Sequence, residues 1–246
     1  MTDGSAAGRD GRARAHVVVL AAGLGSRLGT GAPKALTTLR DGRTILRQQL
    51  DVLSRHAVVE PAVVVVGFRA DEVRAAEPAV RAVPNDRYAS TNTARSLAIG
   101  LDACPPGDVL WLNGDVVCHP EVVGRVLAAR TTAVAVDTAA VGEEEVKYDL
   151  DDEGWVRHLS KQVTPALGEA VGVNLVAAAD RAVLRRRLDD VADGDYFERA
   201  LELAIARDGL RVRPVDVSDL FAVEVDFPAD LRRADDALAA ASTPTP

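Results

Sequence analysis

Apolar residues fall into short, nearly continuous runs separated by stretches with helical spacing. Residues 17–20, 62–66 and 109–112 are unbroken apolar runs, the pattern of strands buried on both faces. Between them, residues 44–56 place Ile45, Leu46, Leu50 and Leu53 at helical intervals, and residues 71–77 predict a short helix. Residues 81–84 predict a third strand. Residues 93–101 predict a helix with Asn92 or Ser90 as its cap. Strands alternating with helices predict a parallel sheet covered on both sides, with ligands at the carboxyl ends of its strands.

After about residue 130 the pattern changes. Residues 132–136, 146–150, 155–159 and 170–177 predict strands joined by polar turns, and Asp151-Asp152-Glu153-Gly154 reads as a hairpin turn. This implies antiparallel pairing. Helices at 179–188 and 196–207, a strand at 212–215 and a last helix opened by Pro228 follow. The expected fold is α/β: a Rossmann-like, mostly parallel central sheet flanked by helices, with a smaller β-rich lobe. Residues 1–15, rich in Gly, Ala, Arg and Asp, are expected to be a disordered leader, and residues 241–246 a flexible tail. The span 16–240 reads as one domain with the lobe inserted at about 137–175. Basic residues before His16-Val17-Val18-Val19-Leu20 resemble the start of a signal peptide, but Gly23, Gly25 and Arg27 interrupt the apolar run, so a first strand accounts for it better.

Composition narrows the picture. Only 4% of residues are aromatic while 48% are hydrophobic, so the core must be built from Val, Leu and Ala. A net charge of −8 argues against a protein that coats nucleic acid, yet leaves room for a compact cationic pocket. Cys104 and Cys118 have no CxxC spacing and read as reduced thiols of a cytoplasmic protein. His16, His56, His119 and His158 are scattered without metal-ligand spacing. No apolar run reaches the ~20 residues needed to span a bilayer, so no membrane partner is expected.

The densest chemical signal is Leu20-Ala21-Ala22-Gly23-Leu24-Gly25-Ser26-Arg27-Leu28-Gly29, followed by Pro33-Lys34-Ala35-Leu36. A strand feeding such a loop can aim backbone N–H groups at phosphate oxygens, and Arg27 and Lys34 add two cations. A dinucleotide-binding turn must open directly into a helix, which Gly29, Gly31 and Pro33 would break. A P-loop needs Gly-Lys-Ser/Thr, whereas Lys34 lies between Pro33 and Ala35.

This stretch resembles the signature of the nucleotidyltransferase superfamily, which includes sugar-phosphate nucleotidylyltransferases and bacterial phosphocholine and phosphonate cytidylyltransferases. Gly114-Asp115 resembles that family's metal-binding aspartate, and Val223-Glu224-Val225-Asp226 its second acidic motif. The segments Asn85-Asp86-Arg87-Tyr88 to Ser96-Leu97, and Ser160-Lys161 to Val173, resemble the cytidylyltransferase branch. The resemblance implies transfer of CMP from CTP to a small phosphonate or phosphorylated alcohol, with release of pyrophosphate. It implies Arg27, Lys34 and Lys161 as catalytic cations on the phosphates. Asp115 and Asp226 would hold Mg²⁺. Leu20, Ala21, Ala22, Gly23, Gly25, Asn92, Ser96 and Asp115 would bind the nucleotide.

Each role has a plainer counterpart: a turn residue for Asp115, a helix cap for Asp226, a solvated lysine for Lys161, a helix surface residue for Ser96. Arg185-Arg186-Arg187 reads as a solvated helix end. For the acceptor, Glu169, Asp195 or Glu198 would meet a primary amine, and the same groups plus Asn174 a polyol, with Tyr196 a lone aromatic candidate rather than a cage. A sugar-1-phosphate nucleotidylyltransferase and a non-catalytic nucleotide-binding regulatory homologue stay open as alternatives, as does homo-oligomerisation.

Overall fold

The computed structural model describes residues 14–25, 28, 31–56, 58–139, 142 and 145–242. Strands β1 (Ala15–Ala21), β2 (Val58–Val66), β3 (Arg81–Pro84), β4 (Val109–Asn113), β6 (Ala133–Asp137), β9 (Gly168–Val176) and β10 (Arg213–Asp216) form the central path of the main sheet. Its order is β10-β6-β9-β4-β1-β2-β3. β1 runs parallel to β2 and β4, β2 to β3, and β6 to β10. β9 alone on this path is reversed, antiparallel to both β4 and β6. The result is the mostly parallel sheet flanked by helices that the apolar runs imply.

Alternation along β1 shows how the layers form. Val17, Val19 and Ala21 pack on one face with Leu46, Val52 and Leu53 of helix α1 (Ile45–Leu53) and Val122 and Val126 of helix α4 (Pro120–Ala128). Val18 and Leu20 pack on the other face with Leu97 and Leu101 of α3 (Thr93–Ala103). Leu184 of α5 (Arg181–Asp190) and Leu201 of α6 (Phe197–Asp208) extend that layer. A side chain pointing to either face is thus buried, which is why residues 17–20 show no polar positions. Trp111 and Phe197 meet edge to face at 5.4 Å in a core that is mostly aliphatic.

A short helix α2 (Ala70–Ala76) links β2 and β3, and α7 (Pro228–Ser242) closes the described chain. Among the described residues no helix is long and apolar enough to cross a membrane. The hairpin of β7 (Lys147–Leu150) and β8 (Val156–Ser160) branches off β9 through β7. The segment around 137–175 ends on a strand of the central sheet, and Tyr148, Val156 and Leu159 of the hairpin pack into the same core as Phe197 and Leu201 of α6. Arg185, Arg186 and Arg187 are not merely solvated: Arg185 pairs with Asp102 of α3 at 2.7 Å, and Arg186 and Arg187 both reach Asp208 of α6. They tie three helices together.

β5 (Val116–Cys118), its partner β11 (Ala222–Glu224) and α4 escape the sequence pattern. β5 is only three residues long, too short to show a period, and pairs antiparallel with β11 in a small second sheet. α4 begins with Pro120 and is capped by His119, whose Nδ1 accepts from Glu121 N at 3.2 Å. Its β-branched residues and central Gly124 weaken the helical signal, but packing of Val122, Val123 and Val126 overrides that propensity.

Candidate active site

A cleft of about 460 Å³ opens at the carboxyl ends of β1 and β4. Its floor comes from the end of β1 and the loop after it: Leu20, Ala21, Gly23, Leu24 and Gly25 all line it. The turn after β4 adds Asn113, Gly114 and Asp115, and the segment after β11 adds Asp226. Asn92 and Thr93 at the start of α3, Tyr196 and Glu198 at the start of α6, and Val146 and Lys161 beside the hairpin complete the wall.

Antiparallel pairing of β5 with β11 is what joins the two acidic motifs. Its register sets Glu224 opposite Val116, so Val225 N donates to Asp115 O at 3.0 Å. Asp115 just before β5 and Asp226 just after β11 are thereby neighbours despite 110 intervening residues. The turn carrying Asp115 is pressed against β1: Gly114 N donates to Leu20 O at 2.9 Å, and a Cβ on Gly114 would lie 2.5 Å from that oxygen. Only glycine permits that approach. Fully buried Gln49 braces the turn from behind, its Nε2 donating to Asn113 O at 2.7 Å and Val116 O at 2.9 Å. A glutamine on a helix gave no sequence signal for this role.

Lys34 is the hub of the site. It lies in a single 3₁₀ turn (Lys34–Leu36) after Pro33, and its Nζ donates to Asp115 Oδ2 at 2.8 Å and Asp226 Oδ1 at 2.5 Å. Burial works against its charge, but Asp115 and Asp226 outweigh it and hold the ammonium above the ordinary lysine range. It is a cation at every physiological pH. Asp230 accepts from the backbone N–H of Asp226 at 3.2 Å and of Phe227 at 2.8 Å at the start of α7, while the Asp226 carboxylate meets Lys34.

Divalent cations of the Mg²⁺ type take one or two carboxylates plus phosphate oxygens and water. The donors present fit that chemistry. Asp115 and Asp226 converge within reach of one cation, and Asp115 Oδ1 is buried without a hydrogen-bond partner among the described residues.

The cleft wall holds two further carboxylates. Glu198 is 7% exposed, and burial pushes it up to about 7 against the opposing pull of its own backbone N–H and of Lys161. Glu224 is open to the cleft but set deep within surrounding protein. That depth, with Asp115 next, raises it to about 8 although Asn113 Nδ2 donates to its Oε1 at 2.9 Å. Room for this pair comes from Gly172 on β9, at φ +70°, where a Cβ would meet Glu224 Oε1 at 2.8 Å. Asn113 and Glu224 are site residues that the sequence reading did not single out; Glu224 was visible as part of the second acidic motif.

Other expected residues lie elsewhere. Ser96 is buried in α3 and accepts from Asn85 Nδ2 at 3.2 Å, so it faces the helix packing and not the cleft. Ala22 is outside the wall, its carbonyl accepting from Phe68 N at 3.3 Å. Asn174 is 1% exposed in the middle of β9, between Trp111 and Val134, because strand alternation turns it into the core. Glu169 sits on β9 opposite Asp137 and Lys147, away from the cleft, with its carboxyl raised by burial and then by Glu145 and Asp137. Asn92 does line the cleft while its Oδ1 accepts from Thr93 N at 2.9 Å. Lys161 lies 5.5 Å from the Tyr196 ring centre. Arg27 lies outside the described residues. Both cysteines are buried free thiols, Cys118 pushed up to about 12 by burial.

Residues 17–194 match the model of the MobA-like NTP transferase domain. The chain is 32% identical over 242 residues to the CMP-5'-(3-aminopropyl)phosphonate synthase of Streptomyces rubellomurinus, covering 89% of this chain but only 38% of that protein's length. It is 30% identical over 183 residues to the 2-C-methyl-D-erythritol 4-phosphate cytidylyltransferase of Thermobifida fusca, covering 71% of this chain and 67% of that one. Its fold resembles that of the inositol-1-phosphate CTP transferase from T. maritima, with a TM-score of 0.79 and 18% identity over 93% of this chain and 96% of the other.

Proposed function

Because the chain belongs to the MobA-like NTP transferase domain family, we propose that it is a Mg²⁺-dependent cytidylyltransferase. It would transfer CMP from CTP to a small phosphonate or phosphorylated alcohol of the 2-aminoethylphosphonate kind and release pyrophosphate. The observation that carries this reading is the convergence of Lys34, Asp115 and Asp226 beside the glycine-rich loop. Support for the cytidylyl branch comes from the two relatives whose names specify CMP or cytidylyl transfer.

The reaction needs charge neutralised more than it needs a proton moved. An acceptor P–O⁻ oxygen attacks the α-phosphorus of CTP, a new P–O bond forms, and the α–β P–O bond breaks with its electron pair leaving on pyrophosphate. The acceptor oxygen is already ionised, so no side-chain nucleophile or general base is required. Asp115 and Asp226 would hold Mg²⁺, which when bound supplies positive charge to the phosphates. Lys34 and Arg27 would hold the β- and γ-phosphate oxygens, and Lys161 the acceptor's anionic end beside the α-phosphate. Backbone groups from Leu20 to Gly25, with Asn92, would orient the nucleoside. A cytoplasmic setting suits an enzyme that consumes CTP.

Pyrophosphate release with Mg²⁺ tests this across CTP, UTP, ATP, GTP and dTTP. Each is paired with 2-aminoethylphosphonate, phosphocholine, inositol phosphate and glucose-1-phosphate. CTP with a small phosphonate or phosphorylated alcohol is expected to exceed every other nucleotide by at least about tenfold in kcat/KM, the discrimination a few base contacts supply. Turnover confined to glucose-1-phosphate would instead make the chain a sugar-nucleotide enzyme. Tight nucleotide binding without any turnover would favour a regulatory homologue.

A further inference from the structure

The glycine-rich loop that floors the cleft is held at both ends by one turn that lies outside the cleft. Gly67, Phe68 and Arg69 form that turn, between β2 and α2. At the start of the loop, Phe68 N donates to Ala22 O at 3.3 Å. A Cβ on Gly67 would lie 2.6 Å from that oxygen and 2.5 Å from Tyr88 Cβ, so only glycine lets the turn sit so close. Towards the end of the loop, Arg69 Nη1 donates to Gly31 O at 2.5 Å. Behind the turn, Val73 of α2 shares a core layer with Ala35, the neighbour of Lys34.

Arginine is an unexpected residue at this backbone position. Arg69 has φ +50° and ψ +43°, in the left-handed region, which glycine enters freely and asparagine at less cost than arginine. The helix gains no cap from it, since the Arg69 side chain makes no capping hydrogen bond to α2. Its guanidinium instead bridges Gly31 O and the Glu72 carboxylate, and the residue stands outside the cleft wall. Backbone strain at an arginine committed to a loop carbonyl points to the loop as what the arginine serves. That loop contains Gly23, Gly25, Gly29 and Gly31, and fixing so many glycines costs much conformational freedom. Gly25 lies where a Cβ would come within 3.1 Å of Lys34 N, so the loop and the lysine keep one relative position. A loop fixed before the nucleotide arrives spares the nucleotide that ordering cost.

We infer that Arg69 is a positioning residue for the nucleotide: by tying Gly31 O to the β2–α2 turn it preorganises the glycine-rich loop and so sets affinity for the nucleoside triphosphate. This rests on the reading above for the identity of the ligand, and adds a residue that touches neither substrate. Its effect is confined to nucleotide binding, because the acid pair and the acceptor wall are built on other elements.

The test uses Arg69→Gly, which removes the guanidinium and also relieves the left-handed backbone, so that strain cannot account for a loss. CTP binding with Mg²⁺ is measured by calorimetry without acceptor, and KM and kcat with CTP and 2-aminoethylphosphonate. Kd and KM for CTP are expected to rise about tenfold, the scale of one lost hydrogen bond and a loop left to be ordered, while kcat and the acceptor KM stay within about twofold. Arg69→Lys, which keeps a donor for Gly31 O, is expected to bind CTP within about threefold of wild type. CTP affinity of Arg69→Gly within about twofold of wild type overturns the inference. So does a parallel loss for CTP and acceptor, which marks a general structural role. Weakened CTP binding in Arg69→Gly, with no turnover by wild type on any acceptor, overturns the transferase reading and leaves this inference standing. No binding of any nucleoside triphosphate to wild type overturns both.

Discussion

Asp115→Asn is expected to lower kcat/KM for nucleotidyl transfer by about 10³-fold, with the loss concentrated in kcat. The reasoning starts from the side chain's two oxygens. Oδ2 accepts from Lys34 Nζ at 2.8 Å, and Oδ1 is buried without a partner among the described residues. Asparagine preserves the size and can still accept one hydrogen bond from Lys34, so the fold should persist. What it removes is one of two negative charges available to a divalent cation. Metal-supplied stabilisation of a phosphoryl transition state is several kcal/mol, and about 4 kcal/mol corresponds to about 10³-fold. The apparent Mg²⁺ requirement should rise in parallel. Activity within about threefold of wild type, at unchanged Mg²⁺ dependence, would remove Asp115 from the metal role.

Lys34→Ala carries the second large effect, and it has two parts. Loss of a phosphate-holding cation in a cleft is expected to cost about 10²–10³-fold in kcat, the range found for removal of a single preorganised charge-stabilising donor. The second part concerns the protein without nucleotide. Asp115 and Asp226 share Lys34, and without it their carboxylates face each other with like charge. The pair is partly solvated, at 24% and 34% exposed, so the destabilisation is about 1 kcal/mol rather than the larger cost of a fully buried pair. In wild type a divalent cation must compete with the Lys34 ammonium for these oxygens, and in the variant it need not. Mg²⁺ alone should therefore raise the Tm of Lys34→Ala more than that of wild type. Equal Mg²⁺ shifts in thermal unfolding would show that Lys34 and the cation do not share the acid pair.

The central sheet was legible because burial on both faces writes itself as unbroken apolar runs. Residues 17–20, 62–66 and 109–112 read as interior strands, and each falls within β1, β2 or β4. β5 and α4 were not legible. Three residues are too few to show a period, and β-branched valines around a glycine weaken the helical signal of α4 until packing is known. Antiparallel pairing after residue 130 was legible from the polar turns, but the place of β9 between β4 and β6 was hidden, since an apolar run does not say which neighbours it pairs with.

The candidate site divides along similar lines. Lys34, Asp115 and Asp226 were visible because they stand in motifs, and the β5–β11 register is what brings the last two together. Ser96 and Asn174 were polar residues in suitable stretches, but helix rotation and strand alternation turn both into packing. Glu224 lay one position from a valine that pairs with Asp115, and only the three-dimensional register shows that it lines the cleft. Gln49 acts from behind the turn, through carbonyls that any residue would supply. Nothing in its own identity points to the partner.

The most direct test of the account is ³¹P NMR of CTP and (3-aminopropyl)phosphonate incubated with the protein and Mg²⁺. The account predicts stoichiometric appearance of pyrophosphate and of a phosphonate–CMP anhydride, with no inorganic phosphate. CDP with inorganic phosphate, or CTP left intact beside this and every other small phosphonate or phosphorylated alcohol, would contradict it.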